Sequence, residues 1–577
     1  MPAISADTPP AVTQPETPDG STGFSVQAAI CPLIIVIAVL AVYLPGLGNS
    51  FILNWDDNKY VVENATAHGF SLAHIKAAFA NSYFANYAPL HIISYMLDYT
   101  LWGLNPAGYR LGNILLHAAN GSLFYYLLRR MAWLRTPALL AALLFVLHPV
   151  QVESVTWISQ RKNVLAMFFA LLSFIGYLHT RNARQPEYRA YIFSLVTFTL
   201  ALLTKSVTVF LPVAFILYDI MIRQDRDLRG IIRTMTPFLL LSAGACVLTI
   251  ITQHEARTGW HGGSPAATLF TMMPVFMHYL RMLVWPFGLS ALYDPPLHHS
   301  LLEPVVAVSC TALLILLGSA AVLSTRRPRE LFWCWFGVLA ILPVSQIVPL
   351  TTMMNDRYLY FPLVGVAALL FGSLSPIITR NDSLGRAMFC GALFVLLALA
   401  ILAGQRNLVW KNDLTLWTDA VQKAPGSRSA RQGLAETLEA RGDLVGAAAH
   451  YLEALRKDPG SPELNSQAGV VFAKLKQYPR AVSCLRYAVQ LRPANDSYRM
   501  NLSAALLESG ALEEAIMQLK ILYERSPTTR NSCMLGALHE KIGDNSHATV
   551  YYGRALQISS TKAADECAAM RSILGLP

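Results

Sequence analysis

Charged residues are scarce in this sequence. Only 14% of its 577 residues are charged, whereas 54% are hydrophobic, and this balance excludes an ordinary soluble protein. Residues 1–25 contain no Lys or Arg and are rich in Pro, Thr and Ser, so residues 1–26 are predicted to be a disordered cytoplasmic tail.

The apolar run at 28–47 has neither a basic segment before it nor a small-residue cleavage signal after it. We therefore expect a retained membrane span rather than a signal peptide.

Cysteine is also infrequent, with eight residues and no CxxC pair. Five of them lie inside apolar runs, so the cysteines are predicted to be small buried apolar side chains rather than disulfide partners or metal ligands. They are Cys31, Cys246, Cys310, Cys334, Cys390, Cys484, Cys533 and Cys567.

Apolar runs of helical length dominate the first 405 residues. The net charge of +10 does not indicate a nucleic-acid partner, because the Arg residues fall in short clusters between these runs. A bilayer core needs about 20 helical residues, which predicts an all-α bundle of about eleven spans in a domain over 27–405. The expected spans are 27–47, 108–128, 136–152, 163–180, 190–204, 206–222, 235–252, 302–323, 331–349, 358–376 and 387–404.

The basic clusters fall on one side of this arrangement, which is therefore predicted to be cytoplasmic. Two segments on the outer side, 50–107 and 253–301, are too long to be turns. Stretches of helical periodicity inside them, at 71–80, 90–101 and 267–284, are typical of helices on the membrane surface. The third could instead be re-entrant or span the membrane, and a true span would reverse the orientation of everything after it.

The last third, 406–577, is charged and amphipathic. Prolines recur every 34 residues, at Pro425, Pro459, Pro493 and Pro527. This period is that of the tetratricopeptide repeat, a helical hairpin that buries its apolar faces by stacking on its neighbours. We therefore predict a C-terminal TPR α-solenoid on the outer side of the membrane.

Two adjacent carboxylates, Asp56 and Asp57, follow the first span. Such a pair in a partly desolvated pocket can supply a general base or bind a divalent cation. A solvated acidic turn is the alternative, and the residues alone do not distinguish the two.

Further ionisable residues lie at the outer ends of predicted spans. His148 and Glu153 precede Arg161 and Lys162, which break the positive-inside pattern. Charges at such positions usually line a cavity or pair with one another, although the two cations could also extend to lipid phosphates.

A third group consists of Lys205, between two spans, and Arg357 with Tyr358 before another. Arg matches phosphate oxygens with its forked donors, whereas Lys acts as a point charge. Interfacial anchoring is the alternative. Carboxylates facing cations suit a transfer from a phosphate-linked donor, because a base accepts the hydroxyl proton and positive charge stabilises the departing phosphate.

The blocks FILNWDDNKYVVENATAHGFS, APLHIISYMLDYTLWGLNPAGYRLGNILLHAANG, HPVQVESVTWISQRKNVLAMFF and NDRYLYFP, followed by the repeats, resemble the transmembrane and tetratricopeptide-repeat O-mannosyltransferases and their bacterial relatives. The resemblance implies a GT-C fold with eleven spans and a sugar taken from a polyprenyl-phosphate carrier on the outer side. It implies that Asp56 or Asp57 is the catalytic carboxylate. His148, Glu153, Arg161 and Lys162 match the HP-x-x-x-E and R-K positions, and Arg357 matches the R-Y-x-Y block.

We therefore expect an inverting glycosyltransferase that moves a sugar to Ser or Thr hydroxyls of a protein held by the TPR groove. The donor phosphate would contact Arg357, Lys205, Arg161 and Lys162. No cofactor is required, although Asp56 and Asp57 could hold a divalent metal.

Several alternatives remain open. The acceptor could be a lipid or a glycan, or the chain could be a membrane-anchored scaffold. A transporter is disfavoured because few charges lie at span centres. We expect a bacterial inner membrane with a periplasmic solenoid, or alternatively an endoplasmic reticulum membrane.

Overall fold

The computed structural model describes residues 26–83, 86–182, 187–252 and 259–576. Within these ranges the chain is helical, apart from turns, connecting loops and an isolated bridge between Tyr83 and Asn86. The predicted all-α class is therefore confirmed. The predicted disordered tail lies almost entirely outside the described residues.

The described residues from 26 to 409 form a helix bundle with two loop regions. Its helices are α1 Val26–Tyr43, α2 Leu72–Ala80, α3 Pro89–Trp102, α4 Pro106–Arg130, α5 Arg135–Leu147, α6 Val152–Thr156, α7 Arg161–Asn182, α8 Tyr188–Thr204, α9 Leu211–Leu217, α10 Leu228–Thr252, α11 Pro265–Val284, α12 Pro304–Ser324, α13 Pro328–Ile341, α14 Pro362–Ile378 and α15 Ser383–Val409.

Every predicted span coincides with one of these helices or with consecutive short ones. By length and composition, however, only six helices among the described residues could cross a membrane, or seven if the bent pair of α5 and the helical turns after it counts as one span. Five of the eleven predicted spans fail this test. Helices α8, α13 and α14 and the helical segment 206–222, which contains α9, are shorter than a full span, and α4 carries several polar residues. Helix α11 also meets these length and composition criteria, so a surface, a re-entrant and a spanning position for this segment all stay predictions.

The bundle has one large apolar core. Buried residues of α1, α4, α5, α7, α13 and α14 belong to it. Helices α13 and α14 approach closely at Gly365, where a Cβ atom would lie 2.4 Å from the carbonyl oxygen of Trp333. On α4 the polar side chains of Arg110, Asn113 and His117 point into the bundle and are buried. Their burial sets up a polar region at one end of the core.

The solenoid consists of paired antiparallel helices that stack in sequence order. They are α16 Asp413–Lys423, α17 Arg428–Ala440, α18 Leu444–Lys457, α19 Pro462–Lys474, α20 Tyr478–Leu491, α21 Asp496–Glu508, α22 Leu512–Arg525, α23 Thr529–Lys541, α24 Asn545–Ile558 and α25 Ala563–Ile573.

Helix caps and proline turns separate the solenoid helices as the sequence predicts. Ser427, Ser461, Asn495 and Thr528 each begin a helix by accepting a hydrogen bond from a backbone N–H of its first turn. The four periodic prolines lie in the loops just before these caps. The tetratricopeptide architecture is confirmed.

The prediction for the cysteines is wrong at four positions, of which two form a disulfide and two are exposed. Cys533 on α23 and Cys567 on α25 form a disulfide, with their Cα atoms 4.6 Å apart. They are 34 residues apart, one repeat length, and this spacing places them on helices that stack directly. Cys246 and Cys390 are exposed rather than buried, because α10 and α15 turn much of their surface away from the core.

Candidate functional site

Asp57 is a buried carboxylate that holds its own loop in place. Its Oδ2 accepts a hydrogen bond from the backbone N–H of Ile52 at 3.0 Å. Its Oδ1 accepts one from the N–H of Ser159 at 2.9 Å and another from the Ser159 hydroxyl. Burial raises the pKa of Asp57 to about 6, although these hydrogen bonds and the charge of Arg110 act in the opposite direction. Both carboxylate oxygens of Asp57 therefore already accept hydrogen bonds from within the protein.

Asp56, the neighbouring residue, is more exposed than Asp57 and has a different partner. Its side chain keeps 24% of its surface exposed, and Oδ2 lies 3.9 Å from Nζ of Lys162. Lys162 is 13% exposed, and its ammonium lies 4.8 Å from the centre of the Tyr60 ring. Asp56 is thus the carboxylate of the pair that an external molecule can reach.

Glu153 and Arg357 form a second buried pair at the site. The backbone N–H of Arg357 donates to Oε2 of Glu153 at 2.8 Å, and its guanidinium donates to Oε1 at 2.5 Å. The guanidinium also lies over the rings of Trp157 and Tyr358, at 5.4 Å and 5.5 Å. Because Glu153 is only 1% exposed, it fixes the orientation of Arg357 rather than facing a substrate.

Lys205 completes a group of three cations. Its ammonium donates to Oδ1 of Asn163, the residue after Lys162 on α7. Lys205 also lies within electrostatic reach of Lys162, Arg357 and Glu153. The sequence gives no signal for Asn163, because an Asn at the outer end of an apolar helix has many ordinary roles.

Arg161 is directed away from this group, contrary to the expectation that it contacts the donor phosphate. Its guanidinium donates to Asp98, to the carbonyl oxygen of Tyr109, and to Oδ1 of Asn113 at 2.7 Å. All three nitrogen atoms are therefore used in joining α7 to α3 and α4. Adjacent residues on a helix face different directions, so Arg161 and Lys162 have different partners.

His148 also has a structural position. Its Nε2 lies 3.1 Å from the carbonyl oxygen of Leu283, and its Nδ1 accepts a hydrogen bond from the backbone N–H of Val150 at 3.4 Å. These contacts are consistent with the tautomer that carries its proton on Nε2. His148 thereby caps the turn that leads to Glu153 and ties it to the end of α11.

A divalent-metal site at Asp56 and Asp57 remains a prediction. The two carboxylates face different partners, and in the described ranges neither belongs to a cluster of three or more metal-ligating side chains. The cluster found there is His539, Asp544 and His547, in the last part of the solenoid.

A mainly apolar cavity of about 550 Å³ opens between α8 and α10. Leu195, Leu202 and Leu203 line it from α8, and Leu240 and Leu248 line it from α10. Ser206, next to Lys205, and Tyr87 from the first outer loop also border it. The cavity therefore borders the residue that directly follows Lys205.

Two family models match parts of the chain. The model described as dolichyl-phosphate-mannose-protein mannosyltransferase matches residues 88–254, which include Glu153, Lys162 and Lys205 but not Asp56. The tetratricopeptide-repeat model matches residues 414–462 and 467–528.

Curated proteins match most of the chain. Mouse protein O-mannosyl-transferase TMTC3 is 21% identical over 92% of this chain and 64% of its own length. Human TMTC4 is 25% identical over 64% of this chain and 58% of its own length, and mouse TMTC2 is 30% identical over 31% and 22%. The chain resembles the TMTC protein O-mannosyl-transferases. It spans 64% of the length of the TMTC3 relative, and it combines a region that matches the mannosyltransferase model with TPR repeats.

Proposed function

We propose that this protein is a membrane glycosyltransferase that moves a sugar from a polyprenyl-phosphate donor to Ser or Thr hydroxyls of a protein acceptor. The observation that carries the proposal is the partly exposed carboxylate of Asp56, 3.9 Å from the ammonium of Lys162 and within electrostatic range of Arg357. This arrangement supplies a base for the acceptor hydroxyl and cations for the departing phosphate. The similarity to TMTC proteins supports the same reaction class, and mannose is the first sugar to test because the relatives are named for mannosyl transfer.

The reaction needs one base and one anion site. The acceptor hydroxyl oxygen attacks the anomeric carbon as Asp56 removes its proton, and the bond between that carbon and the phosphate oxygen breaks. Attack from the face opposite the phosphate inverts the anomeric configuration. The phosphate retains the bonding electron pair, and its charge is stabilised by Lys162, Lys205 and Arg357.

Asp56 is the better candidate for the base, and Asp57 is the better candidate for a structural role. A base must lie within hydrogen-bond reach of the acceptor. Asp56 is accessible, whereas the oxygens of Asp57 already accept bonds from Ile52 and Ser159. The resemblance alone leaves the two equivalent.

The cavity between α8 and α10 suits the polyprenyl chain. Its lining is mainly aliphatic, and it borders Ser206, directly after Lys205. A lipid tail in this cavity would place its phosphate near the cations, as a bound polyprenyl phosphate requires.

The disulfide between Cys533 and Cys567 supports a solenoid outside the cytoplasm, since disulfides persist in oxidising compartments. We propose that the solenoid groove holds the acceptor polypeptide there. A bacterial periplasm and the lumen of the endoplasmic reticulum both satisfy this condition, and we favour the periplasm.

Acceptors other than protein and a non-enzymatic scaffold remain the competing functions. The group of buried Glu153 and the largely buried Lys162, Lys205 and Arg357 argues against a scaffold, because removing charged side chains from water costs free energy unless they are compensated. A scaffold has no use for such a group.

The test is transfer in proteoliposomes that contain the purified full chain. Radiolabelled polyprenyl-phosphate mannose is supplied with Ser/Thr-containing peptides, with a glycolipid, or with neither, and each arm is repeated with EDTA. Labelled peptide from wild type, lost in Asp56→Asn and kept in the matched surface change Asp458→Asn, supports the proposal. Label in the glycolipid alone moves the acceptor to lipid. Loss with EDTA, restored by a divalent cation, assigns a metal.

A further inference from the structure

The first solenoid helix, α16, and its partner α17 bind the loop that carries Asp56. The side-chain amide of Asn54 donates to the carbonyl oxygen of Gly433 and to Oγ1 of Thr437, each at 2.9 Å. Its Oδ1 accepts a hydrogen bond from the indole N–H of Trp417 at 2.7 Å. The backbone N–H of Asn54 donates to Asp413 at 3.2 Å. The polar atoms of the Asn54 side chain are thus bonded to the solenoid.

Trp55, the next residue, continues this contact. Its ring lies 5.2 Å from that of Trp417 and 4.3 Å from that of Trp157. The ring of Trp410, between α15 and α16, lies 6.3 Å from that of Trp55 and stacks on that of Trp157 at 5.5 Å. Aromatic groups at these separations contribute beyond the area they bury. The four indoles join the loop, the bundle and the solenoid in one cluster.

Helix α16 is also linked to the loop that carries Arg357, through Arg406 on α15. Asp356, the residue before Arg357, lies 3.6 Å from the guanidinium of Arg406 on α15. Arg406 binds Asp419 on α16 at 2.9 Å, and Asp419 pairs with Lys423 at 2.7 Å. Lys423 also donates to the carbonyl oxygen of Leu289 in the second outer loop at 2.6 Å.

We propose that α16 is a brace that fixes Asp56 relative to Arg357, and that Asn54 and Trp417 are positioning residues for the transfer reaction. The catalytic meaning of the brace rests on the function proposed above. Asn54 precedes Asp56 by two residues, and Asp356 directly precedes Arg357, so a shift of either loop moves a reacting group. Misplacement by about 1 Å can lower a rate by about 100-fold. The solenoid is then part of the catalytic unit and not only a docking module.

The alternative is that these contacts merely attach the solenoid to the bundle. Attachment alone predicts a loss of stability, or a change in acceptor affinity, without a specific effect on the rate of the chemical step. Two substitutions separate these roles. Trp417→Phe removes the N–H that binds Asn54 but retains an aromatic ring, and Thr437→Val removes the hydroxyl contact with nearly unchanged volume.

A matched control lies one repeat further along. Tyr451 occupies the position 34 residues after Trp417, and its hydroxyl is 3.3 Å from Glu439. Tyr451→Phe therefore removes one polar contact from an equivalent solenoid position whose bond stays within the solenoid.

The experiment measures two properties of the full chain. Hydrogen–deuterium exchange followed by mass spectrometry reports the loops at residues 50–60 and 353–360 without requiring activity. Transfer kinetics in proteoliposomes, with polyprenyl-phosphate mannose and a Ser/Thr peptide, separate kcat from KM. We expect Trp417→Phe to raise exchange at 50–60 and to lower kcat about 10-fold or more, with the acceptor KM unchanged within about twofold. Tyr451→Phe should match wild type in both measurements.

The outcomes distinguish the brace from the proposed function. Wild-type exchange and kcat in Trp417→Phe overturn the brace, as does a raised acceptor KM at unchanged kcat. If Trp417→Phe does not fold, Thr437→Val decides between the brace and simple attachment by the same two measurements. An inactive wild type whose loop exchange still rises in Trp417→Phe overturns the transferase proposal and leaves the brace as a structural finding.

Discussion

Glu153 and Arg357 are 204 residues apart in the chain and are joined by two hydrogen bonds. The carboxylate receives the backbone N–H at 2.8 Å and the guanidinium at 2.5 Å. A carboxylate held in this way fixes both the loop and the direction of its cation. The pair connects α6 to the loop before α14, and it places the guanidinium beside Trp157.

Arg357→Lys should impair the site although the charge is kept. A Lys cannot form the forked contact with Glu153 or lie flat over Trp157. We expect the donor KM to rise about 10-fold or more, and binding of polyprenyl-phosphate mannose measured directly should weaken in parallel. The exposed change Arg456→Lys in the solenoid serves as the control. Unaltered donor affinity in Arg357→Lys would remove this residue from the phosphate site.

Glu153→Ala should be worse for folding than Arg357→Ala combined with Glu153→Ala. Removing the carboxylate alone leaves a buried guanidinium without its counter-charge, at a cost of about 3–5 kcal/mol. The double variant removes both charges. Thermal unfolding of the four proteins in detergent measures this coupling, and equal losses in the single and double variants would contradict the pairing.

Asp56→Asn and Asp57→Asn should fail in different ways. Asp56→Asn removes the proposed base from a partly exposed position, so kcat should fall about 10²- to 10⁴-fold with the melting temperature nearly unchanged. Asp57→Asn replaces one of the two oxygens that accept hydrogen bonds from Ile52 and Ser159 with an NH2 donor, so it should lower the melting temperature as well as the activity. A stable, inactive Asp57→Asn protein together with an active Asp56→Asn protein would exchange the two roles.

Asp57 should also give the protein a specific pH dependence. Its pKa is raised from 3.8 to about 6 by burial, so between these values the folded carboxyl keeps a proton that the unfolded one has lost. The resulting stability is present at low pH and is lost as the pH rises through about 6. The melting temperature of wild type minus that of Asp57→Asn should therefore decrease from about pH 4.5 to pH 6.5 and then level off. A difference that is constant with pH, or that increases, would contradict the assignment.

The sequence predicts those parts of the fold whose cause is local. A 34-residue proline period and apolar runs are properties of neighbouring residues, so the solenoid and the bundle could both be predicted. The partner of Asn54 is Trp417, 363 residues away, and no local pattern indicates that contact. The same holds for Asp56 and Asp57, because two adjacent residues in an irregular loop carry no periodicity that says which one faces inward. The disulfide is different, since Cys533 and Cys567 are separated by the repeat length and the period itself could have indicated their proximity.

The Cys533 and Cys567 pair provides a test of the side on which the solenoid lies. In an oxidising compartment the two thiols should resist alkylation of intact cells under non-reducing conditions, whereas Cys484, which is unpaired, remains available once the protein is denatured. Mass spectrometry of the alkylated peptides distinguishes the linked and unlinked states. In a cytoplasmic solenoid glutathione and thioredoxin would keep both thiols reduced, and alkylation of both would reverse the proposed orientation.

The double change of Cys533 and Cys567 to Ala should lower the free energy of unfolding of the last repeat by about 2–4 kcal/mol, detectable as earlier proteolysis near α25. Equal proteolysis of the variant and wild type, with both thiols already alkylated in cells, would show that the bond does not form in the native protein.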